Sequence, residues 1–368
     1  MPAPPRLLIA GTNPVRIWQM TNGERITRLA RAAGIATEGD GAGMAILWAD
    51  PAWAFDPAWF RHIAATPATV LMASGRQVLA NLPAGLSAET AFADPLAAGL
   101  SVIDYDARPT LYNHQLRKRE CPFVEPLTPQ TAADIERRSY YGAYKGVTDV
   151  LTKFLWPEIA FGLTRLAARA GLSPNAVTCT GIALCVAATF LFGAGYFWWG
   201  LLAGFVFMVL DTVDGKLARC TVTSSQWGNI LDHGMDIVHP PFWWVAWGIG
   251  TAATAHPLAG ATFAWVLVAI LGGYGLQRLI EGIFMRRFGM HIHVWRRFDT
   301  GFRLITARRN PNMVILFVSL TAGRPDLGLV AVAAWTLVSV VVHVVQIVQA
   351  YAWRARHGAL ASWMEQQP

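Results

Sequence analysis

Residues 211–236 read DTVDGKLARCTVTSSQWGNILDHGMD. Nine acids follow residue 150, and four of them stand in this stretch: Asp211, Asp214, Asp232 and Asp236. Residues three or four apart share a helix face, so each pair lies on one side of its helix. The flanking segments, about 197–219 and 227–252, are apolar and long enough to span a bilayer. They meet at a turn near 220–226, which predicts antiparallel neighbours with four carboxylates converging near one membrane surface. A single charged Asp in a bilayer costs about 2.5–3.5 kcal/mol, and four together also repel. Lys216 and Arg219 are the basic residues within the stretch. Two cations do not offset four close carboxylates in a low dielectric. Hard carboxylate oxygens suit Mg²⁺, Mn²⁺ or Ca²⁺, so a divalent ion is expected. The small residues Gly215, Ala218, Gly228 and Gly234 allow close approach of a backbone or a ligand. Arg219 at the helix end suits a phosphate.

Working outward, further apolar stretches lie at about 174–196, 257–285, 311–323 and 327–352, giving six candidate spans. The fifth is short. Composition agrees: 54% hydrophobic and 14% charged residues exclude both a disordered chain and an ordinary soluble one. Residues 1–150 hold 14 basic and 14 acidic residues, so the whole net charge of +7 falls in the apolar part. That favours membrane loops over a nucleic-acid surface, and no nucleic-acid partner is expected. Arg286, Arg287, Arg296, Arg297, Arg303, Arg308 and Arg309 crowd 286–310, and Arg354 and Arg356 mark the tail. The positive-inside rule then puts the amino-terminal part, the 220–226 turn, the 286–310 loop and the carboxyl terminus on the cytoplasmic side of a bacterial-type inner membrane. Four cysteines form no CxxC pair, so no zinc site or disulfide framework is indicated.

The expected fold is therefore an all-α six-helix transmembrane domain over 173–355, preceded by a small α/β cytoplasmic domain over 1–130. A linker and membrane-surface helix cover 131–172, and 356–368 form a cytoplasmic tail. Runs of strand length at Arg6–Gly11, Met44–Asp50 and Ala68–Ala73 alternate with helical spacing at Glu24–Ala33 and Asp56–Ala64, which suggests a mostly parallel sheet. Residues 107–130, with Arg117, Lys118 and Arg119, read as linker. Over 132–170, aromatic residues beside Lys145, Lys153, Arg165 and Arg169 suit a helix at a membrane surface.

The motif has the form D-x2-D-G-x2-A-R-x8-G-x3-D-x3-D, with eight fixed positions. It resembles in full the signature of the CDP-alcohol phosphotransferase family, also called CDP-alcohol phosphatidyltransferases. Ser173-Pro174-Asn175 and Thr178, opening the first span, are similar to the family's. The resemblance covers about 140–355. It implies transfer of a phosphoryl-linked alcohol from a CDP-alcohol donor to an acceptor alcohol at the lipid bilayer, with CMP leaving, in phospholipid or related phosphodiester biosynthesis. It implies two ions, Mg²⁺ or Mn²⁺. Asp211, Asp214 and Asp232 would be the main metal ligands. Asp236 would complete the metal site and act as catalytic base, while Gly215, Ala218, Arg219 and Gly228 would line the substrate site. A homodimer is compatible with this reading. The alternatives are a transporter or structural protein on a decayed transferase scaffold, and a bifunctional cytidylyltransferase that also makes an inositol-phosphate phosphodiester.

The first 130 residues resemble, loosely, a degenerate sugar-nucleotidyltransferase-like domain, with Trp48-Ala49-Asp50 in the place of its metal-binding Asp region. The loop Ala10-Gly11-Thr12-Asn13-Pro14-Val15-Arg16 keeps one Gly and places a Pro, which lacks an N–H, where a phosphate cradle needs donors. That predicts a lost nucleotidyl transfer and a docking or regulatory module that folds as a 1–130 fragment. Elsewhere, His239 before Pro240-Pro241 reads as structural, and His291 and His293 as part of a solvated loop. Arg278 and Glu281 read as a pair on one helix face. Arg308 and Arg309 read as orientation and lipid signals.

Overall fold

In a computed structural model the described residues are 5–37 and 44–365, without the side chains of Asp232 and His233. The chain divides into two compact units. The first holds residues 1–144, 164–172 and 216–224, and the second holds 145–163, 173–215 and 225–368.

The first unit is built on strands β1 (Arg6–Ile9), β2 (Arg16–Ile17), β3 (Met20–Thr21), β4 (Ile46–Ala49), β5 (Trp53–Phe55), β6 (Thr69–Ala73), β7 (Arg76–Leu82), β8 (Ser101–Asp104), β9 (Leu111–Asn113), β10 (Lys118–Glu120) and β11 (Val124–Pro126). Its helices are α1 (Asn22–Ala32), α2 (Pro57–Ala65), α3 (Ala88–Ala93) and α4 (Ala132–Gly142). Thr21 and Glu24 close α1 with a reciprocal capping box, and Asp56 caps α2 with Pro57 in its first turn. Five strands form a sheet in the order β1-β4-β7-β6-β8. The expectation of a mostly parallel sheet is corrected here. β1–β4 and β6–β8 are parallel, whereas β4–β7 and β6–β7 are antiparallel. The cause is a hairpin between β6 and β7. Its two turn residues, Ser74 and Gly75, both have positive φ (50° and 71°), the geometry that suits a tight right-twisted reversal. Ile26, Leu47, Phe55, Trp59, Phe60, Leu71 and Leu79 form the core on one face of the sheet.

Residues 107–130 are likewise not a linker. β9 and β10 form a hairpin, and β11 pairs antiparallel with β5. Charges and prolines conceal the strand alternation there, and Lys118 is spent on the Gly142 carbonyl at 2.7 Å.

The second unit is helical, and two of the helices that follow give their last residues, 164–169 and 216–220, to the first unit. A π-helical turn at Leu151–Leu155 runs into α5 (Trp156–Arg169). Then come α6 (Pro174–Gly193), α7 (Phe197–Cys220), α8 (Gln226–Gly250), α9 (Gly260–Phe288), α10 (Arg297–Arg303), α11 (Arg309–Thr321) and α12 (Pro325–His357). Ser173 caps α6 ahead of Pro174, and Ser225 caps α8 through the Gly228 amide. α6 packs on α8, while α12 packs on both α9 and α11. The six predicted apolar segments coincide with α6, α7, α8, α9, α11 and α12. Of these, α6, α9 and α12 are long and apolar enough to cross a membrane. α7 and α8 carry the aspartates, and α11 has 13 residues.

Candidate active site

The aspartates sit on two helices joined by a short turn, Asp211 and Asp214 on α7, Asp232 and Asp236 on α8. Asp214 is buried. One of its oxygens accepts the Thr178 hydroxyl of α6 at 2.5 Å, and the other lies 2.5 Å from the Gly215 amide. Thr178 thus ties the predicted ligand to a third helix. The side chain of Asp232 lies outside the described residues. Asp236 is half exposed on the same helix, open to an incoming group.

A basic residue that sequence reasoning assigned to lipid contacts belongs to this site. Arg309, at the start of α11, donates from Nη2 to Asp211 Oδ2 at 2.7 Å, and its Nη1 lies 3.0 Å from Asp236 Oδ1. The guanidinium also lies over the Phe207 ring, 5.0 Å from its centroid. Its Nε donates to Asn310 Oδ1 at 3.0 Å. Asn310 in turn donates to Asp149 Oδ1 at 2.9 Å. Asp149 also accepts the Thr152 amide and hydroxyl at 3.0 and 2.8 Å. Burial alone would raise the Asp149 pKa, but the Arg303 charge and these hydrogen bonds overcome it and hold it below the ordinary carboxylate value. Asp149, Asn310 and Arg309 had no motif to betray them. The adjacency of Arg309, Asn310 and Pro311 at a helix start was the available signal.

Two prolines shape the backbone at Asp236. Pro240 and Pro241 lie inside α8 and have no N–H to offer the carbonyls four residues earlier, those of Asp236 and Ile237. The Tyr274 hydroxyl of α9 meets both, at 3.4 and 2.9 Å respectively. His239 is buried edge-on against Phe207 and Trp243, in the structural role predicted for it. Gly228 is a tight approach: a Cβ there would lie 3.0 Å from Asn175 Oδ1 and 3.1 Å from Ser225 Oγ. Gly215 follows Asp214 directly, and Ala218 and Arg219 lie half-buried in the last turn of α7. Lys216 is placed over the rings of Tyr140 and Tyr144 within the first unit.

A second polar cluster lies at Glu281, His293 and His343, whose ligand atoms fall within 4.8 Å of one another. His293 is buried, which corrects its reading as part of a solvated loop, while His291 is exposed. Burial holds the His293 imidazole neutral, well below its ordinary pKa. Glu281 pairs with Arg278 at 3.1 Å, as predicted, and also with Arg308. Two guanidiniums on one carboxylate leave this cluster cationic, so it is a poor metal site. The aspartate site is the reverse: two carboxylates, those of Asp211 and Asp236, meet one guanidinium, and oxygen donors of this kind suit a hard divalent cation.

Residues 172–307 match the family model described as CDP-alcohol phosphatidyltransferase, and the chain carries that domain. Among curated proteins, the chain is 32% identical over 114 residues to a phosphatidylinositol phosphate synthase of Mycobacteroides abscessus, covering 29% of this chain and 52% of the relative. It is 38% identical over 88 residues to the synthase of that name from Streptomyces avermitilis, covering 24% and 34%. It is 33% identical over 128 residues to a cholinephosphotransferase 1 of Gallus gallus, covering 32% and 37%. The chain thus spans about half or less of the length of these relatives.

Proposed function

We propose that this chain is an integral-membrane transferase that moves the phosphoryl-linked alcohol of a CDP-alcohol to an acceptor hydroxyl, releasing CMP. The observation that carries the reading is the convergence of Asp211 and Asp236, from two helices, on one cation, beside the buried Asp214. Asp211, Asp214, Asp232 and Asp236 would hold two divalent ions, Mg²⁺ or Mn²⁺. Such ions neutralise charge on the transferring phosphoryl group and its leaving oxygen. The chain's residues do the rest. Asp236, half exposed, takes the acceptor's hydroxyl proton as the new O–P bond forms and the P–O bond to CMP breaks. Gly215 and Ala218 leave room for the nucleotide and Arg219 pairs with its phosphate, while Gly228 seats the start of α8 against Asn175 and Ser225.

The six apolar segments are read as six spans, with the aspartates, the amino-terminal unit and the 286–310 segment facing the cytoplasm. Leu155, Ile159, Leu163 and Leu166 are exposed at helical spacing along α5, which suits a helix lying in the membrane interface. The amino-terminal unit is read as a docking or regulatory module. In its first loop the Asn13 side chain donates to the Pro51 and Leu127 carbonyls, so that loop is committed to structure and not to phosphate.

The relatives' names point to opposite donors, a phosphatidyl group in one case and phosphocholine in the other. Purified protein in detergent with Mg²⁺ should release CMP from either CDP-diacylglycerol with inositol phosphate, or CDP-choline with diacylglycerol. Asp236→Asn should lower turnover about 10²–10⁴-fold while donor binding persists. Full turnover in excess EDTA, or no CMP release from any donor and acceptor pair, would overturn the proposal.

A further inference from the structure

Arg309 has a place in the aspartate site that the transfer reaction, as proposed, does not use. Its side chain is 12% exposed, and the two ends of its fork rest on Asp211 Oδ2 and Asp236 Oδ1, from two different helices. The remaining edge is fixed by Asn310, which Asp149 holds in orientation. The face is covered by Phe207. A flexible surface cation would show none of these restraints. This guanidinium is delivered to one position by the first turn of α11.

We propose that Arg309 is a built-in counter-cation that competes with the divalent metal for Asp211 and Asp236. The inference rests on the reading of the aspartates as metal ligands. At Asp211 Oδ2 a guanidinium N–H occupies a lone pair that a metal needs, and at Asp236 Oδ1 the Nη1 end stands in ion-pair contact at 3.0 Å, so a metal that takes both oxygens must displace the fork. One positive charge between two carboxylates leaves the pair net negative, so it still attracts a divalent ion. In the metal-free protein the fork holds the two carboxylates against their mutual repulsion and ties α11 to α7 and α8. As an ion binds, the fork withdraws from at least one carboxylate. Arg309 is thus a positioning residue: it keeps an empty site assembled and sets how strongly a metal must bind to occupy it.

The test compares the wild-type full chain, Arg309→Gln and Arg309→Lys in detergent. Mn²⁺ titrations are followed by the paramagnetic resonance signal of the free ion, with thermal melts in EDTA and in Mn²⁺. Glutamine removes the charge, so Mn²⁺ should bind more tightly by about 5–150-fold, the ordinary range for coupled sites. Its melting temperature should fall below wild type in EDTA and recover in Mn²⁺. Lysine keeps a charge but cannot span two carboxylates, so its Mn²⁺ affinity should lie between the two. If Arg309→Gln folds only in the presence of Mn²⁺, the proposal is supported directly. If it folds in neither condition, the lysine variant decides: tighter Mn²⁺ binding than wild type supports the proposal. Wild-type binding with equal or weaker binding in the variants overturns the inference and leaves the metal site standing. Absence of Mn²⁺ binding in all three proteins overturns the metal-site reading and the inference with it.

Discussion

Replacing Gly228 by Ala tests how tightly the start of α8 is seated. The new methyl would lie 3.0 Å from Asn175 Oδ1 and 3.1 Å from Ser225 Oγ, where ordinary contact begins near 3.4 Å. Each oxygen must therefore retreat by about 0.3–0.4 Å to reach ordinary contact. Ser225 Oγ accepts the residue 228 amide at 3.0 Å as the helix cap, and that retreat takes it past the usual hydrogen-bond range. Losing a cap costs about 1 kcal/mol. An alanine in place of glycine returns up to about 1 kcal/mol in helix propensity. The two effects nearly cancel, so the melting temperature should stay close to wild type, read from the emission of 16 Trp. Activity should not be spared. Gly228 stands one turn before Asp232, and a displacement of a few tenths of an ångström there should cost about tenfold in CMP release. Gly234→Ala is the control for stability, since nothing among the described residues lies within 4 Å of its Cβ, and it should melt higher than wild type. Full turnover in Gly228→Ala, with an unchanged melting temperature, would refute the claim that this contact sets the site.

Two further outcomes follow from the geometry. Tyr274→Phe removes the hydroxyl that serves the Asp236 and Ile237 carbonyls; it should destabilise the protein by about 0.5–1.5 kcal/mol in chemical denaturation and lower turnover, because the two carbonyls lose their partner and the Asp236 backbone loosens. An unchanged midpoint would show the prolines need no such compensation. In the first unit, burial raises the Asp56 pKa, against the opposing Ala58 amide and the Lys118, Arg25 and Arg61 charges. A raised acid keeps its proton longer in the folded state, so its contribution favours folding at low pH and is lost as pH climbs through the folded-state value. Asp56→Asn keeps a competent cap and should flatten that part of the melting profile; identical pH slopes would remove Asp56 as the cause.

The motif made the aspartate pairs and the two helices that carry them legible, because fixed spacing on helices converts directly into shared faces. The caps at Asp56 and Ser173 could be read for the same local reason. What the sequence hid was long-range. Arg309 stands 98 positions from Asp211, and no periodicity links them. Thr178 was visible as part of a familiar opening, yet its contact with Asp214 depends on how α6 packs. In the sheet, Ser74-Gly75 follows the Ala68–Ala73 run directly, but β7 opens on the polar Arg76 and Gln77 and was not read as a strand, so the reversal passed unread. His293 was misplaced because a loop dense in arginine looks solvated until Arg308 pairs with Glu281 and the neutral His293 packs beside them.

The division of the chain has a consequence for its modularity. Residues 216–224, the middle of the aspartate motif, belong to the amino-terminal unit, where Arg28 donates to the Thr221 carbonyl at 2.8 Å and Lys216 lies over Tyr140 and Tyr144. Residues 164–172 belong there too, with Arg165 paired to Glu136 at 3.1 Å. A fragment ending at residue 130 is therefore missing pieces of its own unit, and Arg28 would lose its acceptor. A gene rearrangement that exchanged the front of this protein would also have to rewrite the sequence between its aspartate pairs. The two units are bound to a common inheritance, with the aspartate motif as the part neither can give up.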